Sequence, residues 1–364
     1  MNEHPVVDVH THLVAKGWPD LAGECGGEGW PWLRMDSERD AMLMLGDAEF
    51  RAVGSPCWDI DERLADMDAD GIDVQVVSPT PVFFNYDRPA DQAVKVARIF
   101  NDLNLQCVDH ARLIPFCQVP LQDPAAACAE LDRCLAAGHR GVEIGNHVGD
   151  LDLDDPGIVE FFQHCAAVGA PVLVHPWDMP KGARAERWMA EWLVGMPAET
   201  HLSLLSMVLG GVFDQVPDSL RICFAHGGGS FAFWLGRMDN AWHRRNDVVR
   251  GHSEHPPSHY VDRFFVDSVV FDQAPLRLLV DTLGDDQVIV GSDYPYPFGE
   301  RPVGQVVRDA EFLSPHQRHQ LLSANAVRFL GLSARALNRA GGSGNAVDAG
   351  RGSRSADAGT APRS

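Results

Sequence analysis

V-V-D-V-H-T-H, at residues 6–12, is the first of eight short β-branched runs that alternate with helical stretches along the chain. The eight runs span residues 6–12, 72–78, 113–120, 141–146, 171–175, 220–226, 264–268 and 288–292. Near-continuous apolar strands separated by amphipathic segments are typical of a parallel sheet that is covered by helices. Eight such units predict an α/β fold of the (β/α)8 TIM-barrel type rather than an open, doubly wound sheet.

Two segments fall outside this alternation. Residues 14–57 are rich in Gly, Trp and charged residues and show no helical period, so we expect a small insertion or lid subdomain over the barrel mouth. Residues 340–364 consist mainly of Gly, Ser, Ala, Asp and Arg and predict a disordered tail without a role in the chemistry. The barrel itself is expected to comprise residues 1–13 and 58–335, with helical stretches at 59–70 and 314–329.

The charge balance excludes several classes of partner. The chain has 364 residues, with 30 Lys and Arg against 51 Asp and Glu, and a formal net charge of −21. Nucleic acids and anionic membranes both require a basic face, so neither is expected as a partner.

The sequence has neither a secretory signal pattern nor an apolar run of 18 residues, and we expect a cytoplasmic protein.

Candidate metal ligands stand at the ends of the predicted strands. His10 and His12 are two residues apart, so their side chains share one face of the first strand. His175, His226 and Asp293 stand at or just after the ends of the fifth, sixth and eighth runs. A lone histidine at a strand end is more often an ordinary polar residue. The carboxyl ends of barrel strands, however, meet at one mouth of the barrel. These five side chains, all at such ends, therefore together predict a metal site.

The fourth run decides between one metal ion and two. A two-metal site needs a bridging ligand, which a Lys or Glu at the end of the fourth strand can supply in barrel hydrolases. This run has no Lys, and Glu143 lies in its middle rather than at its end. We therefore expect a single ion.

His147, just after the fourth run, is one further candidate for a role in the site.

Longer motifs carry a resemblance to a known family. They are D-V-H-T-H at 8–12, M-D-A-D-G-I-D-V-Q-V at 67–76, G-N-H-V-G-D at 145–150, L-V-H-P-W-D-M at 173–179, H-G-G-G-S-F-A-F at 226–233, G-R-M-D-N-A-W at 236–242, Y-V-D-R-F-F-V-D-S at 260–268 and G-S-D-Y-P at 291–295. On these motifs, between about residues 6 and 330, the chain resembles the decarboxylase branch of the amidohydrolase superfamily. More narrowly, it resembles the 2-amino-3-carboxymuconate-6-semialdehyde decarboxylase (ACMSD) family.

The resemblance implies a role for each candidate ligand. It implies one Zn²⁺ ion held by His10, His12, His175 and Asp293, and other divalent transition metals suit the same ligands. His226 would be the catalytic acid and base beside the metal. Asp293 would also take part in catalysis by relaying a proton.

The resemblance also implies how a substrate is bound. Arg51 and Arg237 would grip the carboxylates of a small anionic dicarboxylate, with Arg237 reaching in from the second subunit of a homodimer. Trp192 and Tyr296 would form walls of the pocket.

Three residues, Asp47, Glu49 and Tyr296, depart from the family pattern, so the exact substrate isomer stays open. The leading hypothesis is a zinc-dependent, non-oxidative decarboxylation of 2-amino-3-carboxymuconate-6-semialdehyde or a close relative. A metal-dependent hydrolase of an ester, lactone or amide is a second hypothesis, but it needs an oxyanion partner rather than two carboxylate clamps. An aromatic-acid decarboxylase of the resorcylate type is a third, and a catalytically inactive binding barrel is a fourth.

Overall fold

The computed structural model describes residues 5–179, 182 and 184–332, so the tail predicted at 340–364 lies outside the described residues. Within them the strands are β1 (Val7–Leu13), β2 (Pro31–Met35), β3 (Asp40–Leu45), β4 (Ala48–Gly54), β5 (Val74–Pro79), β6 (Leu113–Cys117), β7 (Gly141–Gly145), β8 (Val172–His175), β9 (Ile222–Phe224), β10 (Phe265–Asp267) and β11 (Val288–Ile289). Eight of these form a parallel sheet in the order β1-β5-β6-β7-β8-β9-β10-β11. Each falls within or almost within one of the eight predicted runs.

Backbone hydrogen bonds between β1 and the segment after β11 close this sheet into a barrel. The Val9 amide donates to the Val290 carbonyl over 2.9 Å, and the Asp293 amide donates to the His10 carbonyl over 2.9 Å. The His12 amide donates to the Tyr294 carbonyl over 2.7 Å. The predicted (β/α)8 barrel is confirmed, with the first and last strands joined beside the candidate ligands.

The described helices surround the barrel, except α1, which lies between β1 and β2. They are α1 (Leu21–Cys25), α2 (Ile60–Asp70), α3 (Ala90–Cys107), α4 (Pro124–Ala137), α5 (Pro156–Val168), α6 (Met196–Leu209), α7 (Val212–Gln215), α8 (Phe231–Arg244), α9 (Gln273–Leu283), α10 (Gln305–Arg308), α11 (Pro315–His319) and α12 (Asn325–Leu330). Asp59 accepts a backbone hydrogen bond as the N-cap of α2, which explains why the helix begins there. Over the described ranges, none of these helices has both the length and the hydrophobicity that crossing a membrane requires.

The helix predicted at 314–329 is present, but it is interrupted. Ser314 forms a capping box with Gln317 at the start of α11. A single π-helical stretch, Gln320–Ala324, then separates α11 from α12. Phe329 of α12 packs against Phe116 and Phe265 and so covers the inner core of the barrel at the end opposite the candidate ligands.

The insertion is a small antiparallel sheet. Strands β2, β3 and β4 pair in that order, and the short helix α1 precedes them. Leu43 of β3 is buried in one cluster with Trp30, Phe83, Phe100 and Tyr296, which joins the insertion to the barrel mouth. The insertion therefore forms one wall of the space above the carboxyl ends of the barrel strands.

Candidate active site

Four of the predicted ligands meet at the mouth of the barrel. The Nε2 atoms of His10 and His12 are 3.2 Å apart, and Oδ1 of Asp293 lies 3.0 Å from Nε2 of His12. One ligand atom each from His10, His12, His175 and Asp293 can be chosen so that all four lie within 4.8 Å of one another. Three imidazole nitrogens and one carboxylate oxygen thus face a common centre.

A register shift in β1 helps to bring two of these side chains together. The pairing of β1 with β5 slips between Asp8 and Thr11, as it does at a β-bulge. Asp8 and Thr11 turn toward the surrounding helices and contact Gln75 and Arg63. The rings of His10 and His12 remain on the inner side, with centroids 5.1 Å apart.

The second ring nitrogens of His10 and His175 have partners that orient these two candidate ligands, whereas Nδ1 of His12 has no hydrogen-bond partner among the described residues. Nδ1 of His10 lies 2.6 Å from Oδ2 of Asp267, and Nδ1 of His175 lies 3.0 Å from the carbonyl oxygen of Pro176. Carbonyl oxygens only accept, so His175 donates from Nδ1 and leaves a lone pair on Nε2. That Nε2 is buried and has no hydrogen-bond partner among the described residues. Such an orphaned lone pair beside a carboxylate fits a metal cation, and donors of this type suit Zn²⁺ and related ions.

Burial and neighbouring charge shift the pKa of each group in the cluster. Burial alone would lower the pKa of His10, but the hydrogen bond and charge of Asp267 outweigh burial and raise it to about 9. Burial lowers the pKa of His12 to about 4 and that of His175 well below its usual range. Burial would raise the pKa of Asp293, but His12 and His10 hold it well below the usual range. Asp293 is therefore ionised and the imidazoles of His12 and His175 are neutral, as a cation site requires, whereas His10 is protonated beside Asp267 while no cation is bound.

His226 lies beside this cluster. Its ring centroid is 5.3 Å from that of His10 and 5.2 Å from that of His175. Burial, followed by the charge of His10, lowers the pKa of His226. Its backbone φ is 54° and that of Asp293 is 61°, both in the left-handed region that non-glycine residues rarely adopt. Such strain is concentrated at functional sites, where the surrounding structure maintains it.

The cluster opens into a cavity of about 680 Å³ that also contains three of the predicted substrate residues. Arg51 of β4, Trp192 and Tyr296 line this cavity together with His12, His175, His226 and Asp293. The insertion thus brings a guanidinium group into the same space as the candidate metal ligands.

Comparisons with known proteins assign the family. The model of the amidohydrolase family matches residues 7–332. The 2-amino-3-carboxymuconate-6-semialdehyde decarboxylase of Dictyostelium discoideum is 39% identical over 329 residues, which cover 90% of this chain and 91% of that protein. The chain belongs to the amidohydrolase family. Within it, the chain belongs to the ACMSD group, as the motifs predicted.

Two further relatives support this assignment. The Caenorhabditis elegans protein of the same name is 32% identical, with 89% of this chain and 94% of that protein covered. The solved 5-carboxyvanillate decarboxylase of Sphingomonas paucimobilis is 26% identical with a TM-score of 0.75, covering 91% of this chain and all of that one. The chain is therefore a decarboxylase of the amidohydrolase superfamily, with a cluster that can hold a metal ion.

Other candidate residues lie outside the cavity of this amidohydrolase barrel. Arg237 is exposed on α8 and lines a different cavity, together with His201 and Trp234. Asp47 and Glu49 are exposed on the insertion, and Glu49 accepts a hydrogen bond of 2.8 Å from Arg34.

His147 and Glu143 both lie near the end of β7 but differ in their surroundings. Nδ1 of His147 lies 2.8 Å from the carbonyl oxygen of Gly149, and the side chain does not line the main cavity. Glu143 is fully buried inside the barrel, with Oε1 3.9 Å from Nδ1 of His12. Burial raises the pKa of Glu143 to about 8, which disfavours its ionised form beside the cluster.

Sequence reasoning did not single out Asp267, which contacts the candidate ligand His10. Its Oδ2 contacts His10, while its Oδ1 accepts backbone hydrogen bonds from Gly227 and Val269 over 2.9 and 3.0 Å. Asp267 ends β10, the seventh barrel strand, and the rule that selected Asp293 at a strand end applies to it equally.

Proposed function

We propose that this decarboxylase removes one carboxylate from 2-amino-3-carboxymuconate-6-semialdehyde and that it holds one Zn²⁺ ion at His10, His12, His175 and Asp293. The observation that carries the proposal is a single cavity with the ligand cluster on one side and the Arg51 guanidinium on the other. The relatives that share about nine tenths of the chain support this choice of substrate.

The donor set fits the metal. When bound, a divalent ion at such a site polarises substrate oxygens and lowers the pKa of water. The chain orients the ligands, because Asp267 and Pro176 fix the rings of His10 and His175. Three nitrogen donors and one carboxylate oxygen are a combination that Zn²⁺ accepts readily, and other divalent transition metals accept the same set.

His226 is proposed as the acid and base. Its Nδ1 is buried and has no hydrogen-bond partner among the described residues, so it is free to hold a proton and to pass it on. A proton delivered to the carbon that carries the leaving carboxylate interrupts the conjugation of the substrate. The bond from that carbon to the carboxylate then breaks, CO₂ leaves, and the bonding electrons restore conjugation. Asp293 is the second proposed proton-transfer group.

Arginines are proposed to position the substrate. Arg51 has a planar donor group that binds a carboxylate in a bidentate manner. Arg237 is exposed on α8 and absent from the cavity of its own chain, which supports its action in the partner subunit of a homodimer. Two such contacts would fix a dicarboxylate between the clamps and the ligand cluster.

A second candidate is an aromatic-acid decarboxylase on the same barrel. The likeness to 5-carboxyvanillate decarboxylase favours it, as do the aromatic walls formed by Phe50, Trp177 and Trp192. This candidate keeps the metal ligands and His226 and changes only the substrate.

One assay separates the two candidates. The purified protein would be given freshly generated 2-amino-3-carboxymuconate-6-semialdehyde, 5-carboxyvanillate or 2,6-dihydroxybenzoate, and CO₂ release would be measured together with bound metal. We expect kcat/KM for the semialdehyde to exceed that for either aromatic acid by about 100-fold or more, because buried polar contacts discriminate strongly. We also expect one Zn²⁺ ion per chain and loss of activity with a chelator. Preference for an aromatic acid would support the second candidate instead.

A further inference from the structure

Among the described residues, the side-chain contacts of the Arg51 guanidinium are with aromatic rings. Within the described part of the chain, its guanidinium makes neither a hydrogen bond nor an ion pair. Its central carbon lies 4.4 Å from the ring centroid of Tyr296, 5.4 Å from that of Phe50 and 5.8 Å from that of Trp192. The N–H donors of Arg51 therefore remain available to a ligand, while the cation is attracted to the ring faces.

Tyr296 connects this guanidinium to the ligand cluster. Its ring centroid is 5.5 Å from that of His12, and its side chain is buried at 7% exposure. Its hydroxyl group forms a hydrogen bond with the hydroxyl group of Thr80, which follows β5 directly and is also buried. Tyr296 thus contacts a metal ligand and Arg51 at once, while Thr80 anchors the hydroxyl end of its ring.

The contacts of Tyr296 leave the guanidinium of Arg51 without a counter-ion. Its hydroxyl group is directed to Thr80, and its ring contacts Arg51. Among the described residues no carboxylate forms an ion pair with Arg51, so none competes with a substrate carboxylate for its donors.

We propose that Tyr296, anchored by Thr80, is a positioning residue that sets the distance between Arg51 and the ligand cluster and so selects where a substrate carboxylate is bound. The inference rests on the proposed function for the role of Arg51. An arginine side chain has large rotamer freedom, and restricting it before binding increases affinity. The ring of Tyr296 provides that restriction without using any of the donors.

The test separates the hydroxyl group from the ring. Tyr296→Phe removes only the hydroxyl group, Thr80→Val removes the same hydrogen bond from its other end, and Tyr296→Leu removes the ring. Calorimetry would measure the Kd of isophthalate, an unreactive dicarboxylate, for each variant with its metal content recorded. We expect this Kd to rise about fivefold in Tyr296→Phe and in Thr80→Val, with no further rise in the double variant. In Tyr296→Leu the Kd should rise about tenfold or more. KM should rise in parallel, with kcat changed by less than about twofold.

Tyr294→Phe is a matched control. Like Tyr296, Tyr294 stacks on an arginine, Arg63 at 4.7 Å, and has a hydrogen-bonded hydroxyl group, which donates to Asp66, but Tyr294 does not line the cavity. Its Kd for isophthalate should match that of the unmodified protein. Arg51→Ala should weaken isophthalate binding more than any tyrosine variant.

Two sets of results would overturn the inference. One is an unchanged Kd in Tyr296→Phe and Thr80→Val, and the other is a change that follows lost metal rather than the missing hydroxyl group. A protein that binds isophthalate in this pattern but does not decarboxylate the semialdehyde would refute the proposed substrate and support the positioning role.

Discussion

Asp267 joins the cluster of candidate ligands to His226, the proposed acid and base. One carboxylate oxygen contacts His10, and the other accepts the amide of Gly227, the residue after His226. The hydrogen bond and the charge of His10 hold the pKa of Asp267 below its usual range, against the effect of burial. A single side chain therefore orients one ligand and stabilises the strained turn that presents His226.

Asp267→Asn is predicted to weaken metal binding. The amide cannot supply the negative charge that fixes the tautomer and raises the basicity of His10, and loss of such a partner lowers metal affinity by about 10–100-fold. Competition with a metal-binding dye would measure this affinity. Asp262→Asn, the same change at an exposed position nearby, is the control and should bind metal normally. Equal affinity in the two variants would contradict the role of Asp267.

His226→Ala is predicted to remove turnover while leaving the metal in place. His226 is not one of the four clustered candidate ligands, so we expect the loss of its imidazole to remove the proposed proton transfer and to leave all four ligands in place. We expect kcat to fall by about 10²–10⁴-fold, the range for loss of a general acid or base. His164→Ala, on the surface of α5, should keep full activity. Near-normal turnover by His226→Ala, or loss of its metal, would exclude His226 as the acid and base.

Elements differ in how much of them the sequence predicts. The eight barrel strands are predictable because most of them are short, largely apolar runs buried on both faces, and their regular alternation with helical stretches is typical of a covered parallel sheet. The antiparallel sheet of the insertion is not, because its strands mix buried and exposed residues without strict alternation, as in β3. The contact between Asp267 and His10 joins residues from opposite ends of the chain and has no local signature. Ligands at strand ends are predictable because the barrel brings all such ends together.

The packing of α3 against α4 depends on an ionised glutamate. Glu130 of α4 is buried and accepts hydrogen bonds of 2.7 and 2.8 Å from Arg133 and 2.8 Å from Asn101 of α3. Burial alone would raise the pKa of Glu130, but these hydrogen bonds outweigh burial and hold it below the ordinary value of 4.5. The stabilisation is therefore complete above pH 4.5 and is lost as the pH falls through the lower, folded-state pKa.

Glu130→Gln is predicted to lower stability in a pH-dependent manner. At pH 7 the free energy of unfolding should fall by about 1–2 kcal/mol, because hydrogen bonds to a charged group are replaced by weaker ones. The difference from the unmodified protein should shrink below pH 4.5. Urea unfolding at several pH values would measure it, with Glu160→Gln on the exposed face of α5 as control. A difference that grows toward low pH would contradict the prediction.

At the scale of the whole molecule, the proposed homodimer predicts complementation between two inactive variants. An Arg237→Ala subunit lacks the guanidinium that would bind substrate in the site of its partner. A His226→Ala subunit lacks the proposed acid and base of its own site. In an equal mixture of exchanging subunits, half of the dimers are mixed and each mixed dimer has one intact site. About a quarter of the unmodified activity should therefore return. Activity measured after subunit exchange tests this, and no recovery despite exchange would show that Arg237 does not act across an interface.

The backbone hydrogen bonds between β1 and the segment after β11 form the seam that closes the barrel, and this seam has a consequence for how the protein is synthesised. Residues 9–12 bond to residues 290–294, and the candidate ligands on the two sides of the seam are the first and the last along the chain. A nascent polypeptide on the ribosome therefore exposes its paired histidines long before their carboxylate partner is translated. The four candidate ligands come together only after release of nearly the whole barrel, so metal loading would report completed folding, and early termination leaves a product without the full set.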